Sequence, residues 1–79
     1  MSNMERLVAI YRDVLKKPDL QLTPELTARD VDSWDSLAHV QIIVEVEKKF
    51  AIEFDLDDFL TIRNVGDFFK LLQRYGVEL

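Results

Sequence analysis

A serine at the start of a helical pattern is the residue of this chain best placed for chemistry. Ser36 follows the turn 32–35 and precedes residues 37–50, whose apolar side chains recur at helical spacing. The first N–H groups of a helix and its dipole favour negative charge, so a phosphate esterified to Ser36 would be stabilised there. Asp35, the neighbouring like charge, is tolerable where solvent screens it. The residues alone favour a simpler interpretation, in which Asp35 or Ser36 is an ordinary helix N-cap.

Nucleophilic catalysis by Ser36 would need a general base within hydrogen-bond reach. The only histidine, His39, lies three residues later and falls within the apolar arc of the predicted helix. A lone histidine in such a place is more often a packed residue than a base. We therefore expect no catalytic residues and no enzymatic activity.

Acidic clusters do not form a recognisable metal site. A calcium loop beginning at Asp55 would need Gly at its sixth position and Glu at its twelfth, where the chain has Leu60 and Gly66. The carboxylates at positions 30, 32 and 35 are close in sequence, but nothing forms a pocket around them. We interpret them as a solvated turn and predict no bound metal.

Composition limits the possible functions further. Seventy-nine residues make one domain with a modest core, and a net charge of −5 argues against nucleic acid. Without cysteine there are neither disulfides nor thiolate metal sites. No apolar run reaches the roughly 18 residues needed to cross a bilayer, and the N-terminus lacks the pattern of a signal peptide. We expect a cytoplasmic, monomeric domain without membrane contact.

Helix signals flank a long connection. Ser2 and Glu5 have the spacing of a capping box, and Pro18 stops the pattern that follows, which predicts a helix over about 3–16. Residues 18–33 then form a loop that is too apolar to be a free linker. Within it, residues 23–25 have the form of one helical turn with Pro24 at its first position.

The central helix begins near Ser36 and has two faces when residues are placed at 100° steps. The face predicted to pack in the core also includes His39 and carries the apolar side chains of Val40, Ile42, Ile43, Val44, Val46 and Phe50. The opposite, exposed face carries Leu37, Ala38, Gln41, Glu45 and Lys48, with Lys49 at its edge.

The last third of the chain predicts an extended link over 50–54, a short acidic helix over 55–60 and a final helix opened by Asn64. Gly76 is a natural C-cap for that helix. Its predicted inner face consists of Val65, Phe68, Phe69, Leu72 and Tyr75. The sequence therefore predicts an all-α fold, a small four-helix bundle of three longer helices and one short helix, with a long structured loop between the first two.

In this context, Asp35-Ser36-Leu37 resembles the attachment motif of the acyl carrier protein family. The resemblance extends over nearly the whole chain, 1–79, as a single carrier-like domain: an N-terminal helix, a long loop, the Asp-Ser-Leu helix, the run 47–54, a short acidic helix and Val65-Gly66-Asp67. The tripeptide is a weak signal, whereas this order of elements at this chain length is a strong one.

The resemblance implies that Ser36 carries 4′-phosphopantetheine through a phosphodiester, with acyl groups as thioesters on its terminal thiol. It also implies that Asp35 supports modification by helping the phosphopantetheinyl transferase to bind its metal. Enzymes that load or transfer acyl groups in fatty-acid, polyketide or related biosynthesis would be the other partners. The partner-binding residues expected on this basis are Leu37, Ala38, Gln41, Glu45 and Trp34.

Two departures from the family pattern indicate a specialised member. Gln41 and Lys48 leave Glu45 as the main acid of a face that is acidic in typical fatty-acid carriers. Trp34 occupies a place where a smaller residue is common, and it either covers the end of the bundle, which we favour, or contacts a partner. Peptidyl carriers usually have glycines before the serine, and residues 33–35 contain none.

The first hypothesis is an acyl carrier, with a peptidyl or aminoacyl carrier as its variant. The second is an unmodified helical interaction module. The third is a small hydrolase, which we disfavour because the sequence offers neither a general base nor a substrate pocket. In a carrier, the acyl chain could fold back between helices lined by Val40, Val44, Ile62 and Phe68.

Overall fold

The computed structural model describes the backbone of residues 1–79 and every side chain except that of Phe59. Four α-helices follow one another: α1 (Asn3–Leu15), α2 (Ser36–Phe50), α3 (Leu56–Leu60) and α4 (Val65–Arg74). A single 3-10 helix, Ala28–Asp30, lies in the connection between α1 and α2. The predicted all-α architecture, with three longer helices and one short one, is confirmed.

Local signals set the helix ends. Ser2 Oγ accepts a hydrogen bond from Glu5 N at 3.1 Å while Ser2 N donates to Glu5 Oε1 at 3.0 Å, which is the predicted capping box. Helix α1 ends at Leu15 because Lys16 takes the left-handed conformation, one residue before the predicted end. At the start of α4, Asn64 Oδ1 accepts from Asp67 N at 2.8 Å.

The long connection packs on the bundle through backbone contacts with α4. Val65 N donates to Leu26 O and Gly66 N donates to Pro24 O, each at 2.9 Å. A Cβ at position 66 would stand 3.1 Å from Pro24 O, so glycine permits this close approach. The predicted turn at 23–25 forms as a single hydrogen-bonded turn, in which Leu26 N donates to Thr23 O at 3.1 Å. The 3-10 helix Ala28–Asp30 that follows it was not predicted.

One core joins all the longer helices. It is built of Leu7, Ile10, Tyr11, Leu15, Val31, Trp34, Ala38, Ile42, Ile43, Val46, Phe54, Val65, Phe68, Leu71, Leu72 and Val77. Phe50 still belongs to α2, and the extended link starts only after Ala51, which is left-handed. Among the described residues, no helix is both long and apolar enough to cross a membrane.

The buried face of α2 is rotated from the predicted one. Ile42, Ile43 and Val46 are buried as predicted, but Val40 and Val44 are 56% and 38% exposed. The predicted apolar arc is wider than the stripe that neighbouring helices cover, so packing decides which part is buried. The side of α2 that carries Ala38, Ile42, Ile43 and Val46 packs in the core. Val40 and Val44 lie outside that side, next to α3.

Candidate functional site

Ser36 is the first residue of α2, and its side chain is exposed. The preceding Asp35 is the N-cap, since its Oδ1 accepts a hydrogen bond from Ala38 N at 2.8 Å. Within the described part of the chain, the Ser36 hydroxyl makes no hydrogen bond, so it is not used in capping. An accessible hydroxyl at a helix N-terminus is a suitable place for an esterified phosphate, because the N–H groups and the dipole favour its charge.

A groove of about 830 Å³ runs along α2 from Ser36 to Glu47. At a rise of 1.5 Å per residue, these two residues lie roughly 16 Å apart along the helix. The Glu47 carboxylate accepts a hydrogen bond from Phe54 N at 2.9 Å and so fixes the far end. The groove is lined by Ala28, Trp34, Asp35, Ser36, His39, Val40, Ile43, Val44, Glu47, Leu56, Leu60 and Ile62.

This groove partly matches the surface predicted for an acyl chain. Val40, Val44 and Ile62 line it, whereas Phe68 is 1% exposed and belongs to the core. Phe68 therefore does not line this groove. The helical period placed Phe68 on the inner face of α4, and its burial confirms that placement.

The second wall of the groove is α3, which contributes Leu56 and Leu60. They are 72% and 77% exposed, so the wall is apolar although solvent reaches it. Sequence reasoning treated α3 only as a short acidic helix. The spacing of two leucines four residues apart on one helix face is the signal that could have revealed this apolar wall.

Tyr75 holds α3 against the C-terminal end of α4. Its hydroxyl donates to the Asp58 carboxylate and accepts from Asp55 N at 3.3 Å. The hydrogen bond to Asp58 raises the pKa of the Tyr75 hydroxyl, so the phenol is protonated over the physiological range. This contact fixes a five-residue helix that is too short to be stable alone.

We expect Tyr75→Phe to loosen α3 while the rest of the bundle stays folded. The substitution removes the hydroxyl but keeps the ring, which packs edge-on against Phe54 at 5.0 Å. Amide hydrogen exchange of residues 56–60 should accelerate severalfold, because α3 and the residue before it lose their hydrogen bonds to the hydroxyl. Exchange in α1 should not change, and equal acceleration in α1 and α3 would contradict this role.

Trp34 and His39 form an aromatic pair at the Ser36 end of the groove. Their ring centroids lie 6.3 Å apart with an interplanar angle of 27°, and Tyr11 meets Trp34 edge-on at 5.5 Å. Partial burial lowers the pKa of His39, so the imidazole is neutral at pH 7. Trp34 Nε1 is buried without a hydrogen-bond partner among the described residues.

The structure separates the residues predicted to bind partners. Leu37, Gln41 and Glu45 are exposed on α2. Ala38 is only 6% exposed, so its predicted position on the partner face is wrong, because the core extends to this side of α2. Trp34 is buried as well, which fits the favoured interpretation that it covers the end of the bundle.

Exposed apolar side chains concentrate around this site. Among the described residues, the large apolar side chains that are exposed are Met1, Leu37, Val40, Val44, Leu56 and Leu60. All but Met1 either line the groove or directly follow Ser36. No cluster of three or more metal-ligating side chains occurs in the same described set.

Comparisons with known proteins agree with this geometry. Residues 5–72 match the family model for the phosphopantetheine attachment site. The chain is 31% identical over 72 residues to the meromycolate extension acyl carrier protein of Mycolicibacterium aurum, covering 91% of this chain and 74% of that protein. It is 32% identical over 74 residues to the acyl carrier protein of Helicobacter pylori, covering 92% of this chain and 94% of that protein.

A solved structure extends the similarity to the fold. The solution NMR structure of holo acyl carrier protein from Geobacter metallireducens superposes with a TM-score of 0.84 at 36% identity. The superposition covers 94% of this chain and 85% of that one.

Proposed function

Because the chain belongs to the acyl carrier protein family, whose prosthetic group is phosphopantetheine, we propose that Ser36 is the attachment residue and that residues 1–79 act as one carrier domain. The observation that supports this assignment is the exposed Ser36 hydroxyl, which starts α2 and lies at one end of an apolar groove. The prosthetic group, when attached, supplies the thiol that forms a thioester with the acyl group.

The residues around Ser36 suit such a group. The first N–H groups of α2 and its dipole favour the charge of a phosphodiester at Ser36. The apolar walls formed by Val40, Val44 and Leu60 offer an alkyl chain a surface away from water. The protein itself would catalyse no reaction and would raise the local concentration of its cargo at each partner enzyme.

We assign the partner surface to the exposed residues Leu37, Gln41 and Glu45 on α2. The partners are a phosphopantetheinyl transferase and the enzymes that load or transfer the acyl group. This surface is apolar beside Ser36 and carries Lys48 further along, in keeping with a specialised carrier. We propose that the protein acts in the cytoplasm, as the sequence led us to expect.

Intact-mass measurement tests the proposed function. Incubation with a broad-specificity phosphopantetheinyl transferase and coenzyme A should add one phosphopantetheinyl group, and an acyl-loading enzyme should then add an acyl group removable by hydroxylamine. No mass gain with several such transferases would favour the unmodified interaction module. Hydrolysis of thioesters by the unmodified protein would favour the hydrolase.

Asp35→Asn should slow modification without weakening the fold. The amide oxygen of Asn can still cap α2 by accepting from Ala38 N, but the carboxylate that would support the metal of the transferase is lost. We expect the rate of loading to fall at least about tenfold, the scale of the loss when a carboxylate that supports a metal site is removed. Unchanged loading of a folded Asp35→Asn variant would assign Asp35 to capping alone.

Binding to partners should depend only weakly on salt. The partner surface has one acid, Glu45, with the neutral Gln41 before it and Lys48 further along α2, so few charges can contribute to the contact. The KM of the transferase for this protein should change less than about threefold between 50 and 200 mM salt. The double variant Gln41→Glu and Lys48→Glu is the control and should gain salt dependence. A steep effect in the wild type would assign the contact to acids elsewhere, such as Asp55 or Asp57.

A further inference from the structure

The stacked pair of Trp34 and His39 has no role in the function proposed so far. Both residues line the groove that begins at Ser36. Trp34 is buried, and Tyr11 packs edge-on against it, so the indole is a fixed wall for the imidazole of His39. The side chain of His39 is only half-buried, which leaves the ring accessible from the groove.

His39 is within reach of a substituent on Ser36. Residues three apart on a helix have Cβ atoms about 5–6 Å apart on neighbouring positions of its surface. The imidazole makes no side-chain hydrogen bond to any residue whose side chain is described. The nearby Asp35 carboxylate is already engaged by Ala38 N. The ring nitrogens of His39 are therefore available to a ligand at this end of the groove.

We infer that the imidazole of His39 binds the phosphodiester that joins the prosthetic group to Ser36, as a protonated donor held between the indole of Trp34 and the phosphate oxygens. The inference rests on the proposed attachment at Ser36. A protonated imidazole donates from both nitrogens, and its hydrogen bonds to an anion are stronger than those between neutral groups. The face of the Trp34 indole that stacks on His39 attracts a positively charged ring, which also favours the protonated imidazole.

Modification would then change the charge of His39. Before loading, burial lowers the pKa of His39 and the ring is neutral at pH 7. The charged groups lining the groove are Asp35 and Glu47; the other side chains there, which come from Ala28, Leu56, Leu60 and Ile62 on the neighbouring elements, do not titrate.

A phosphodiester at Ser36 would add a negative charge three residues from His39, whereas Glu47 lies eight residues away along α2. An anion within about 4–6 Å favours the charged form and typically raises the pKa of its partner by one or more. The protonated ring and its bond to the phosphate are present below the raised pKa of His39 and are lost as the pH rises through it. Near neutral pH, His39 would therefore bind a proton once the group is attached, which partly offsets the proton that the serine hydroxyl loses when the phosphodiester forms.

Nuclear magnetic resonance of the ring protons of His39 tests this inference directly. The protein is titrated from pH 5 to 9 before and after loading, and intact mass confirms the modification. We expect the pKa of His39 to be higher by at least about one in the loaded protein. The ³¹P resonance of the phosphodiester should move with the same midpoint.

Two variants make the test specific. His39→Gln keeps a hydrogen-bonding side chain without the charge, and in its loaded form the ³¹P midpoint should disappear. Ser36→Ala, mixed with transferase and coenzyme A, should show the pKa of unloaded His39. Loading without a rise in the pKa of His39, or a ³¹P midpoint that persists in His39→Gln, overturns the inference and leaves the proposed function intact. Absence of any mass gain overturns both.

Discussion

Replacing Ser36 by alanine is expected to abolish attachment of phosphopantetheine completely. Alanine lacks the hydroxyl that forms the phosphodiester, and no neighbouring hydroxyl lies at the start of α2 to replace it. The side chain is exposed and makes no hydrogen bond among the described residues, while alanine is a good helix former. The variant should therefore fold like the wild type, and intact mass after transferase treatment should show only unmodified protein.

Ser33→Ala is the matched control for this experiment. Ser33 lies three residues before Ser36, and its Oγ donates to Leu15 O at 2.6 Å, so it ties the loop to the end of α1. Its removal should cost about 1 kcal/mol of stability and leave loading complete. Modification of Ser36→Ala, or a folded Ser33→Ala protein that cannot be loaded, would move the attachment site away from Ser36.

Phe68→Ala should destabilise the whole domain. Phe68 is 1% exposed, and its ring packs against Phe54 at 5.8 Å and Tyr11 at 6.3 Å between ring centroids. Truncating a buried phenylalanine costs about 3–5 kcal/mol, because the transfer free energy is lost and a cavity remains. Small domains have a total stability of only about 5–15 kcal/mol. Chemical denaturation should show a variant that is partly unfolded or close to it.

Phe69→Ala separates burial from a general effect of losing an aromatic ring. Phe69 is the next residue on α4 but only half-buried, so its truncation should cost less than that of Phe68. Val44→Ala, in the groove, should change stability by less than about 1 kcal/mol, because its side chain is already partly in water. Equal losses for Phe68→Ala and Val44→Ala would contradict the distinction between core and groove.

The helix ends of this protein were predictable because they depend on neighbouring residues. Ser2 with Glu5 and Asn64 with Asp67 each satisfy free N–H groups three residues away, so their effect needs no tertiary contact. The docking of the first loop on α4 was not predictable in this way. Carbonyls at Pro24 and Leu26 accept hydrogen bonds from Gly66 N and Val65 N, about forty residues later in the chain, and no local signal specifies that pairing.

The candidate site shows the same division. The position of Ser36 at the start of α2 and the exposure of Leu37, Gln41 and Glu45 follow from local sequence and helical period. The structure decides that Asp35, and not Ser36, is the N-cap. The family resemblance, not the period, supplied the cofactor for Ser36.

The sequence by itself determined the number of helices, their capped ends and the serine that starts α2, since each depends on residues within a few positions of one another. Only the tertiary structure decided which part of the apolar arc of α2 is buried. The apolar arc of α2 is wider than the part that the core covers, so Ala38 is buried while Val40 and Val44 stay exposed beside α3. The groove at Ser36 lies between those valines and the two leucines of α3.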